Sequence, residues 1–374
     1  MHSGFAMKWS FKIAKVAGTE VRIHLTFFIL LLLVAMQGMS GGQGTAGAVD
    51  ALLFVSAAFL CVLLHEFGHV FAARGYGIHT PDITLLPIGG VARLERMPRK
   101  PSHEFVVAIC GPLVNVAIAA AIKLALGLQM VMNPEYQFEQ PGHFWEKLML
   151  WNLIMVAFNM IPAFPMDGGR VLRAFLAMFT DYGRATRWAA TLGQGIALAV
   201  ALSMLFSREF FHPVLLLISF FIFMAAGQEA AAVTQEEATR GLRVRDAMLT
   251  DFRTLPQDAT LGDAVVLLLA GSQQDFPMLD EGGNMLGLVT RNRLVSALSE
   301  NGPMHPAIHI LENCPDSVSP IISLGEGLER LRSGTCPAMP VLDPVSGKLM
   351  GLLTAENVGE VLMVRAALRG RKET

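Results

Sequence analysis

Residues 59–73 read FLCVLLHEFGHVFAA. This stretch places two histidines and a glutamate inside a run that is otherwise apolar or small. Ionisable side chains within a membrane span are costly and usually face a polar interior, so a functional role is the first interpretation. The alternative is a histidine and glutamate cluster that only satisfies its own hydrogen bonds.

The composition of the whole chain is that of an integral membrane protein. Of 374 residues, 53% are hydrophobic and 16% are charged, against about 25% charged in soluble domains. The apolar residues are concentrated before about residue 228. The formal net charge of -2 does not indicate a nucleic-acid partner. The N-terminus lacks a short apolar region followed by a small-residue cleavage site, so we expect no removable signal peptide.

Six membrane spans are predicted, because a bilayer core takes about 20 apolar residues per helix. They lie near residues 23–38, 49–73, 104–131, 146–164, 186–206 and 211–228. Segment 82–92 is too short and too rich in Gly and Pro to cross, so we expect it to fold back as a membrane-associated β-hairpin.

Basic residues predict the orientation. They lie before span one and after spans two, four and six, whereas the loops after spans one and three contain no Lys or Arg. Because Lys and Arg are retained on the cytoplasmic side, we expect a multi-pass protein of the cell inner (plasma) membrane with both termini cytoplasmic.

His65 and His69 are four residues apart, and residues at this spacing lie on one face of a helix. They can therefore offer imidazole nitrogens to one metal ion, while Glu66 leans over the same site. This is the H-E-x-x-H arrangement of zinc peptidases. The pentapeptide alone is a modest signal, and its position inside an apolar span strengthens it.

A third metal ligand is needed, because a catalytic zinc takes three protein ligands and keeps a fourth position open. Asp167 is the best candidate, in the stretch NMIPAFPMDGGR at 159–170. Pro162 and Pro165 break the fourth span there and leave one carboxylate at the end of an apolar stretch. The alternative is that Asp167 only caps the helix that follows.

Three motifs occur in this order: HEFGH at 65–69, GPLVN at 111–115 and NMIPAFPMDG at 159–168. Together they resemble the site-2 protease family of intramembrane metallopeptidases, in the branch with C-terminal CBS domains. The resemblance implies that His65, His69 and Asp167 bind one zinc ion per chain. It also implies that Glu66 is the catalytic base and that Asn159 lies beside the site.

The implied reaction is hydrolysis of peptide bonds within or near transmembrane segments, as in regulated intramembrane proteolysis. The expected partners are the lipid bilayer and a membrane-protein substrate with a transmembrane helix. Glu66 would take the water proton and pass it to the leaving nitrogen, and Asn159 would donate to the developing oxyanion. Asn115 is expected to be a polar packing residue between helices. An unwound substrate could add as a strand to the fold-back hairpin; the alternative is a hairpin that only plugs the cavity.

The tail contains an internal repeat. FPMLDEGGNMLGLVTRNRLVSAL at 276–298 aligns with MPVLDPVSGKLMGLLTAENVGEVL at 339–362, each copy reading as strand, turn, strand and helix. The pair resembles tandem α/β CBS domains. The expected division is a transmembrane metallopeptidase domain at 1–228, a helical linker at 229–241, and CBS domains at 242–301 and 302–374.

Adenosine-nucleotide binding by CBS pairs, as the resemblance implies, uses a Thr and an Asp three positions later. The threonines are present as Thr290 and Thr354, but Arg293 and Asn357 stand where Asp is expected. Arg293 has only donors, so it could meet a phosphate but cannot accept from ribose hydroxyls. One expectation is therefore an adenine nucleotide at Thr290, Arg293 and Thr354. The other is a pair that binds no ligand and serves a structural role or joins two chains as a homodimer.

Four cysteines, Cys61, Cys110, Cys314 and Cys336, lie far apart without a C-x-x-C pair, so we expect buried thiols. A rival interpretation of the chain is a transporter or channel gated by its CBS pair, with the His/Glu/Asp cluster as an ion site. Transporters commonly carry repeated membrane halves, and neither HEFGH nor the Pro-Pro-Asp-Gly stretch has a second copy. The sequence therefore favours the peptidase.

Overall fold

The computed structural model describes residues 9–40, 44–87, 89–93, 98–127, 143–206, 213–314 and 316–370. The chain divides into two compact units, Met1–Ala231 and Ala232–Thr374. The helices that begin in the first unit are α1 (Leu25–Gly38), α2 (Gly44–Gly75), α3 (Pro101–Leu126), α4 (Phe144–Asn159), α5 (Asp167–Leu176), α6 (Tyr182–Phe206) and α7 (Pro213–Thr239). Its strands are β1 (Ser10–Val16), β2 (Thr19–His24), β3 (Asp82–Leu86) and β4 (Gly89–Arg93).

Within the described ranges, α2, α3, α6 and α7 are long and apolar enough to cross a membrane. Helix α1 is apolar but has 14 residues, which rise about 21 Å, less than a bilayer core of about 30 Å. Helix α4 has 16 residues and ends at Asn159, ahead of the two prolines that were predicted to break it. The chain is a polytopic α-helical membrane protein, and the count of six spans stays a prediction.

The predicted fold-back hairpin is present. Strands β3 and β4 pair antiparallel, with Asp82 opposite Arg93 and Leu86 opposite Gly89. Sequence reasoning missed β1 and β2, which pair with each other ahead of α1. Strand β2 also pairs in parallel with β3, so the order is β1-β2-β3-β4 and β4 is an edge strand of this sheet. Lys12 and Lys15 each lie between apolar residues in SFKIAKV, and this partial period-two pattern, interrupted at Ile13 and Ala14 where the pairing shifts register, is the signal that could have found β1.

Helices α2 and α3 approach each other closely where small residues meet. A Cβ on Gly68 of α2 would lie 2.7 Å from the carbonyl oxygen of Cys110 on α3. Such small residues allow two membrane helices to bring their backbones together. Helix α3 starts with Pro101 at its first turn and stops before Gly127, whose φ of 61° is left-handed. The crossing therefore brings the HEFGH turn against the GPLVN stretch.

The second unit contains the two repeats. Its helices are α8 (Leu261–Leu269), α9 (Arg291–Asn301), α10 (Leu324–Ser333) and α11 (Ala355–Gly370), and its strands are β5 (Leu255–Pro256), β6 (Phe276–Leu279), β7 (Met285–Val289), β8 (Ala338–Leu342) and β9 (Leu349–Thr354). In each repeat an antiparallel strand pair precedes a helix, β6 and β7 before α9 and β8 and β9 before α11, as predicted. Most of the predicted linker continues α7 without a break.

The cores of the two repeats do not divide simply along the chain. One core gathers residues between Leu255 and Ala307. The other gathers residues between Val318 and Val358 together with Val244. The segment that precedes the first repeat therefore packs into the core of the second. The predicted boundaries of the CBS domains stay predictions.

The prediction for two of the cysteines is wrong. Cys314 and Cys336 form a disulfide, with their Cα atoms 6.0 Å apart. They meet because both pack against the apolar cluster that joins residues of the two repeats. Their separation of 22 residues carries no signal for this pairing. Cys61 is a free, buried thiol as expected, whereas Cys110 is free and only partly buried.

Candidate functional site

His65, His69 and Asp167 converge on one point inside the first unit. Nε2 of His65 and Nε2 of His69 are 3.1 Å apart. Oδ2 of Asp167, the first residue of α5, lies 3.1 Å from His65 Nε2 and 3.2 Å from His69 Nε2. All three residues are buried. Among the described residues, they are the group of side chains that could hold a metal ion.

The second nitrogen of each imidazole is occupied, which determines how the ring is oriented. His69 Nδ1 lies 2.8 Å from the carbonyl oxygen of Val107. Because that oxygen can only accept, Nδ1 carries the proton and donates it. A donated Nδ1–H leaves Nε2 with a lone pair for a metal, the arrangement that outer hydrogen bonds impose on ligand histidines.

A relay of two buried asparagines does the same for His65. Asn152 Nδ2 donates to the carbonyl oxygen of Leu148 at 2.8 Å, so its Oδ1 is left to accept from Asn115 Nδ2, also at 2.8 Å. Asn115 Oδ1 then accepts from His65 Nδ1 at 2.6 Å. In each asparagine, the hydrogen bond donated by the amide nitrogen determines that the amide oxygen is the acceptor for the next bond. Asn115 therefore packs between helices, as predicted, and also orients a candidate ligand.

The donor triangle fits a zinc ion. Bonds of about 2.0–2.1 Å in tetrahedral geometry place neighbouring donor atoms about 3.3 Å apart, close to the observed 3.1 and 3.2 Å. The three atoms present lone pairs to the same buried point, and they repel one another unless positive charge lies between them. Two imidazoles and a carboxylate are also a donor set that zinc accepts in proteins.

Two glycines enclose the site. A Cβ on Gly111 of α3 would fall on His69 Nε2 and lie 2.8 Å from His65 Nε2. A Cβ on Gly90 of β4 would lie 2.7 Å from Cγ of Glu66 and 3.1 Å from its Oε1. Helix α3 therefore covers the donor atoms from one side, and the edge strand β4 lies directly against the side chain of Glu66.

Asn159 is not joined to this cluster in the described part of the chain. It is the last residue of α4 and is partly buried. A Cβ on Gly168 would lie 2.5 Å from the carbonyl oxygen of Met160, the residue that follows Asn159. The backbone thus places Asn159 close to the start of α5, but no hydrogen bond among the described residues connects its side chain to the candidate ligands.

Sequence reasoning missed Asn152 and the carbonyl oxygen of Val107. Asn152 is fully buried within the apolar stretch FWEKLMLWNLIMVAFN of α4. A polar residue inside a span is a functional signal by default, so it could have been found. The Val107 carbonyl could not, because any residue carries one.

The candidate nucleotide residues of the tail have local partners. Thr290 and Thr354 occupy equivalent positions just before α9 and α11. The Thr290 hydroxyl accepts from the backbone N–H of Arg293 at 3.4 Å, and the Thr354 hydroxyl accepts from that of Asn357 at 3.2 Å. The guanidinium of Arg293 is itself 3.4 Å from a carboxylate oxygen of Glu312. Both threonines thus act as helix caps.

The beginnings of α9 and α11 meet in space. Gln274 Oε1 accepts from the side chain of Arg291 at 3.3 Å, and Gln274 Nε2 donates to Glu356 at 3.2 Å. The residues just before the two helices, Thr290 and Thr354, therefore belong to one region of the second unit.

Comparison with known proteins shows which families the chain resembles. Residues 53–140 and 127–202 match the model of peptidase family M50, and residues 244–300 match the CBS domain. A zinc metalloprotease of Methanocaldococcus jannaschii is 31% identical over 284 residues, covering 76% of this chain and 78% of that protein. A solved site-2 protease from Methanocaldococcus jannaschii is 35% identical and covers 59% of this chain and 95% of its own, with a TM-score of 0.44.

The family match and the relative named as a zinc metalloprotease coincide with the region that holds the donor triangle. They favour the peptidase over the transporter or channel. The chain belongs to peptidase family M50, the site-2 protease family, as an intramembrane zinc metalloprotease with a C-terminal CBS region.

Proposed function

We propose that this protein hydrolyses peptide bonds within the membrane-spanning segments of other membrane proteins, at a zinc ion held by His65, His69 and Asp167. The observation that supports this most is the convergence of three buried lone-pair donors within 3.2 Å of one another. Zinc held there would act as a Lewis acid and provide an activated water at neutral pH.

Glu66 is the general base in this proposal. It follows a candidate ligand directly in sequence, and in the described residues no hydrogen bond or ion pair occupies its carboxylate. That carboxylate can accept the proton of the attacking water and deliver it to the leaving amide nitrogen. Asn159, from its place beside the start of α5, is proposed to donate to the oxyanion.

The substrate is proposed to bind as an extended strand along β4. This strand has β3 on one side only within the described sheet, and Gly90 brings its backbone against Glu66. A helical substrate hides its peptide bonds in its own hydrogen bonds, so it must unwind before attack. Pairing with the edge of a sheet replaces the backbone hydrogen bonds that unwinding removes.

Zinc content and cleavage of a membrane-protein substrate test the site in purified full-length protein. The wild type should hold about one zinc per chain. His65→Ala and Asp167→Ala should lose zinc and cleavage together, because each removes a ligand. Glu66→Gln should keep zinc and lose cleavage, because the amide cannot accept the proton.

A matched control is Glu236→Gln, an acidic residue on α7 outside the proposed site, which should keep both zinc and cleavage. Wild-type protein without zinc would contradict the metal site. A Glu66→Gln protein that still cleaves would contradict only the assignment of the base.

The CBS region is proposed to regulate the peptidase or to position its substrate. An adenine nucleotide at Thr290, Arg293 and Thr354 is the ligand that the residues suggest, with its phosphates at Arg293. The surroundings weaken this proposal, since Arg293 is already paired with Glu312. Burial raises the pKa of the nearby Asp275, and the negative charges of Glu312 and Glu356 raise it further.

Calorimetry of the full chain with ATP, ADP and AMP separates the two possibilities for the tail. Heat of binding that disappears in Arg293→Ala supports the phosphate placement. No heat at millimolar nucleotide supports a pair that binds no ligand and instead holds substrate or joins two chains as a homodimer.

The membrane orientation is proposed from the basic loops. With both termini in the cytoplasm of an inner (plasma) membrane, the metal site would lie in the cytoplasmic half of α2, close to Arg74. Thiol labelling from each side of sealed vesicles tests this, with single cysteines placed at positions 15 and 240. Labelling of both from the cytoplasmic side is expected, and labelling from opposite sides would contradict the arrangement.

A further inference from the structure

A second buried polar cluster lies in the first unit and is not part of the proposed chemistry. Its centre is Arg173 of α5, which is completely buried. Arg173 Nε donates to Glu104 Oε1 of α3 at 2.7 Å, and Nη1 donates to Glu229 Oε1 of α7, also at 2.7 Å. A buried charge is costly unless it is paired, so these contacts specify one arrangement of the three helices.

Aromatic rings complete the surroundings of this guanidinium. Its central carbon lies 4.9 Å from the ring centre of Phe164 and 5.0 Å from that of Tyr182. Phe164 belongs to the turn between α4 and α5, and Tyr182 is the first residue of α6. Arg173 therefore connects α5 to α3 and α7 through ion pairs, and to α6 and the turn before α5 through cation–π contacts.

Helix α5 needs such an anchor because it is short. It has 10 residues, and isolated helices of that length are marginal in stability, so its direction depends on tertiary contacts. Asp167 is its first residue and Arg173 follows six positions later, about 9 Å along the axis and on a different face. A small rotation of α5 would move Asp167 Oδ2 away from both histidine nitrogens.

We propose that Arg173 is a positioning residue, which holds α5 to Glu104 and Glu229 so that Asp167 completes the metal site with His65 and His69. The inference rests on the proposed zinc site. Neither glutamate nor Arg173 touches the donor atoms, so their effect on the metal passes through the placement of α5.

Zinc affinity, measured by chelator competition on monodisperse full-length protein, tests the proposal. Arg173→Met keeps an unbranched side chain and removes its charge, and should weaken zinc binding about 10- to 100-fold, the range seen when a group that holds a ligand in place is lost. Glu229→Gln is milder because Glu229 is partly exposed, and it should weaken zinc binding by a smaller factor. Arg184→Met, which loses an exposed pair with Asp181, is the control and should bind zinc like the wild type.

A second readout separates positioning from general loss of structure. Co²⁺ bound in place of zinc has a visible absorption that reports the ligands around it. In Arg173→Met and Glu229→Gln this spectrum should differ from that of the wild type, because the Asp167 carboxylate is displaced from the metal, and cleavage should recover at saturating zinc. A general packing defect would lower the folded fraction without changing the spectrum of what remains.

The outcomes distinguish this inference from the function on which it rests. Wild-type protein that binds no zinc contradicts the metal site itself. Wild-type protein that binds zinc, with Arg173→Met binding it equally well, overturns the positioning role alone. If Arg173→Met does not fold, Glu229→Gln decides: wild-type affinity and an unchanged Co²⁺ spectrum in that variant overturn the proposal.

Discussion

At the scale of single residues, the candidate site depends on residues that neither bind the metal nor transfer a proton. Gly111 has no side chain and cannot bind a metal through one, and this lack leaves the space in which the histidine nitrogens meet. Asn115 and Asn152 contribute no donor to the metal, and they determine which nitrogen His65 presents. The ligands define which metal can bind, and these neighbours define whether the ligands point at it.

The glycine gives a direct prediction. Gly111→Ala should abolish zinc binding, because the added methyl group would fall on His69 Nε2. Gly195→Ala is the matched control, since nothing lies within 4 Å of a Cβ at that position of α6. The control should keep its zinc and stabilise its helix by about 0.5–1 kcal/mol. Zinc content of the two purified proteins is the measurement, and equal zinc in both would contradict the role of Gly111.

At the scale of elements, the sheet and the helices meet at the site. Strand β4 reaches Glu66 because β1 and β2 extend the hairpin into a four-stranded sheet that packs on α2 through an apolar cluster. In the tail, the Cys314–Cys336 disulfide connects the segment after the first repeat to the start of β8. The sheet attaches the short strand β4 to helix α2, and the disulfide attaches the segment around Cys314 to the second repeat.

The disulfide predicts a redox-dependent stability. Closing a loop of this length restricts the unfolded chain and contributes about 3 kcal/mol to the free energy of unfolding. Dithiothreitol should therefore lower the stability of the second unit in the wild type. It should have no effect in Cys314→Ser, which lacks the bond from the start. Denaturant unfolding followed by hydrogen exchange in residues 232–370 measures this, and equal stability with and without reductant in the wild type would contradict it.

At the scale of the whole molecule, the two compact units have separate sources of stability. The donor triangle lies in the first unit and the disulfide lies in the second. A ligand that binds only the folded state stabilises it by about 2.7 kcal/mol at a concentration of 100 times Kd. Zinc should therefore stabilise the first unit and leave the second unchanged.

Thermal unfolding of the full chain checks this separation. A zinc chelator should lower the transition of the first unit only, and dithiothreitol should lower that of the second only. Asp167→Ala provides the control, because its first transition should already be low and should not respond to the chelator. A chelator that shifts both transitions equally would show that the two units do not unfold separately.

The sequence by itself determined the features that depend on local periodicity and composition. A spacing of four residues places His65 and His69 on one helix face, apolar runs predict membrane helices, Pro162 marks the end of α4, and the repeat predicts paired strand and helix units. The hairpin at 82–92 followed from its length and its Gly and Pro content. Each of these signals is read from a short window of the chain or, for the repeat, from the match between two such windows.

Only the tertiary structure decided the features that join distant segments. The sequence predicts Asp167 as a ligand, but only folding brings it to His69 across 98 residues. Likewise Cys314 pairs with Cys336, β2 pairs with β3, and Val244 enters the core of the second repeat. The orientation of His65 by Asn115 and the anchoring of α5 by Arg173 belong to the same class. The physical reason is that a side chain's partners are selected by the packing of whole elements, whereas the period of a sequence reports only which face of its own element a residue occupies.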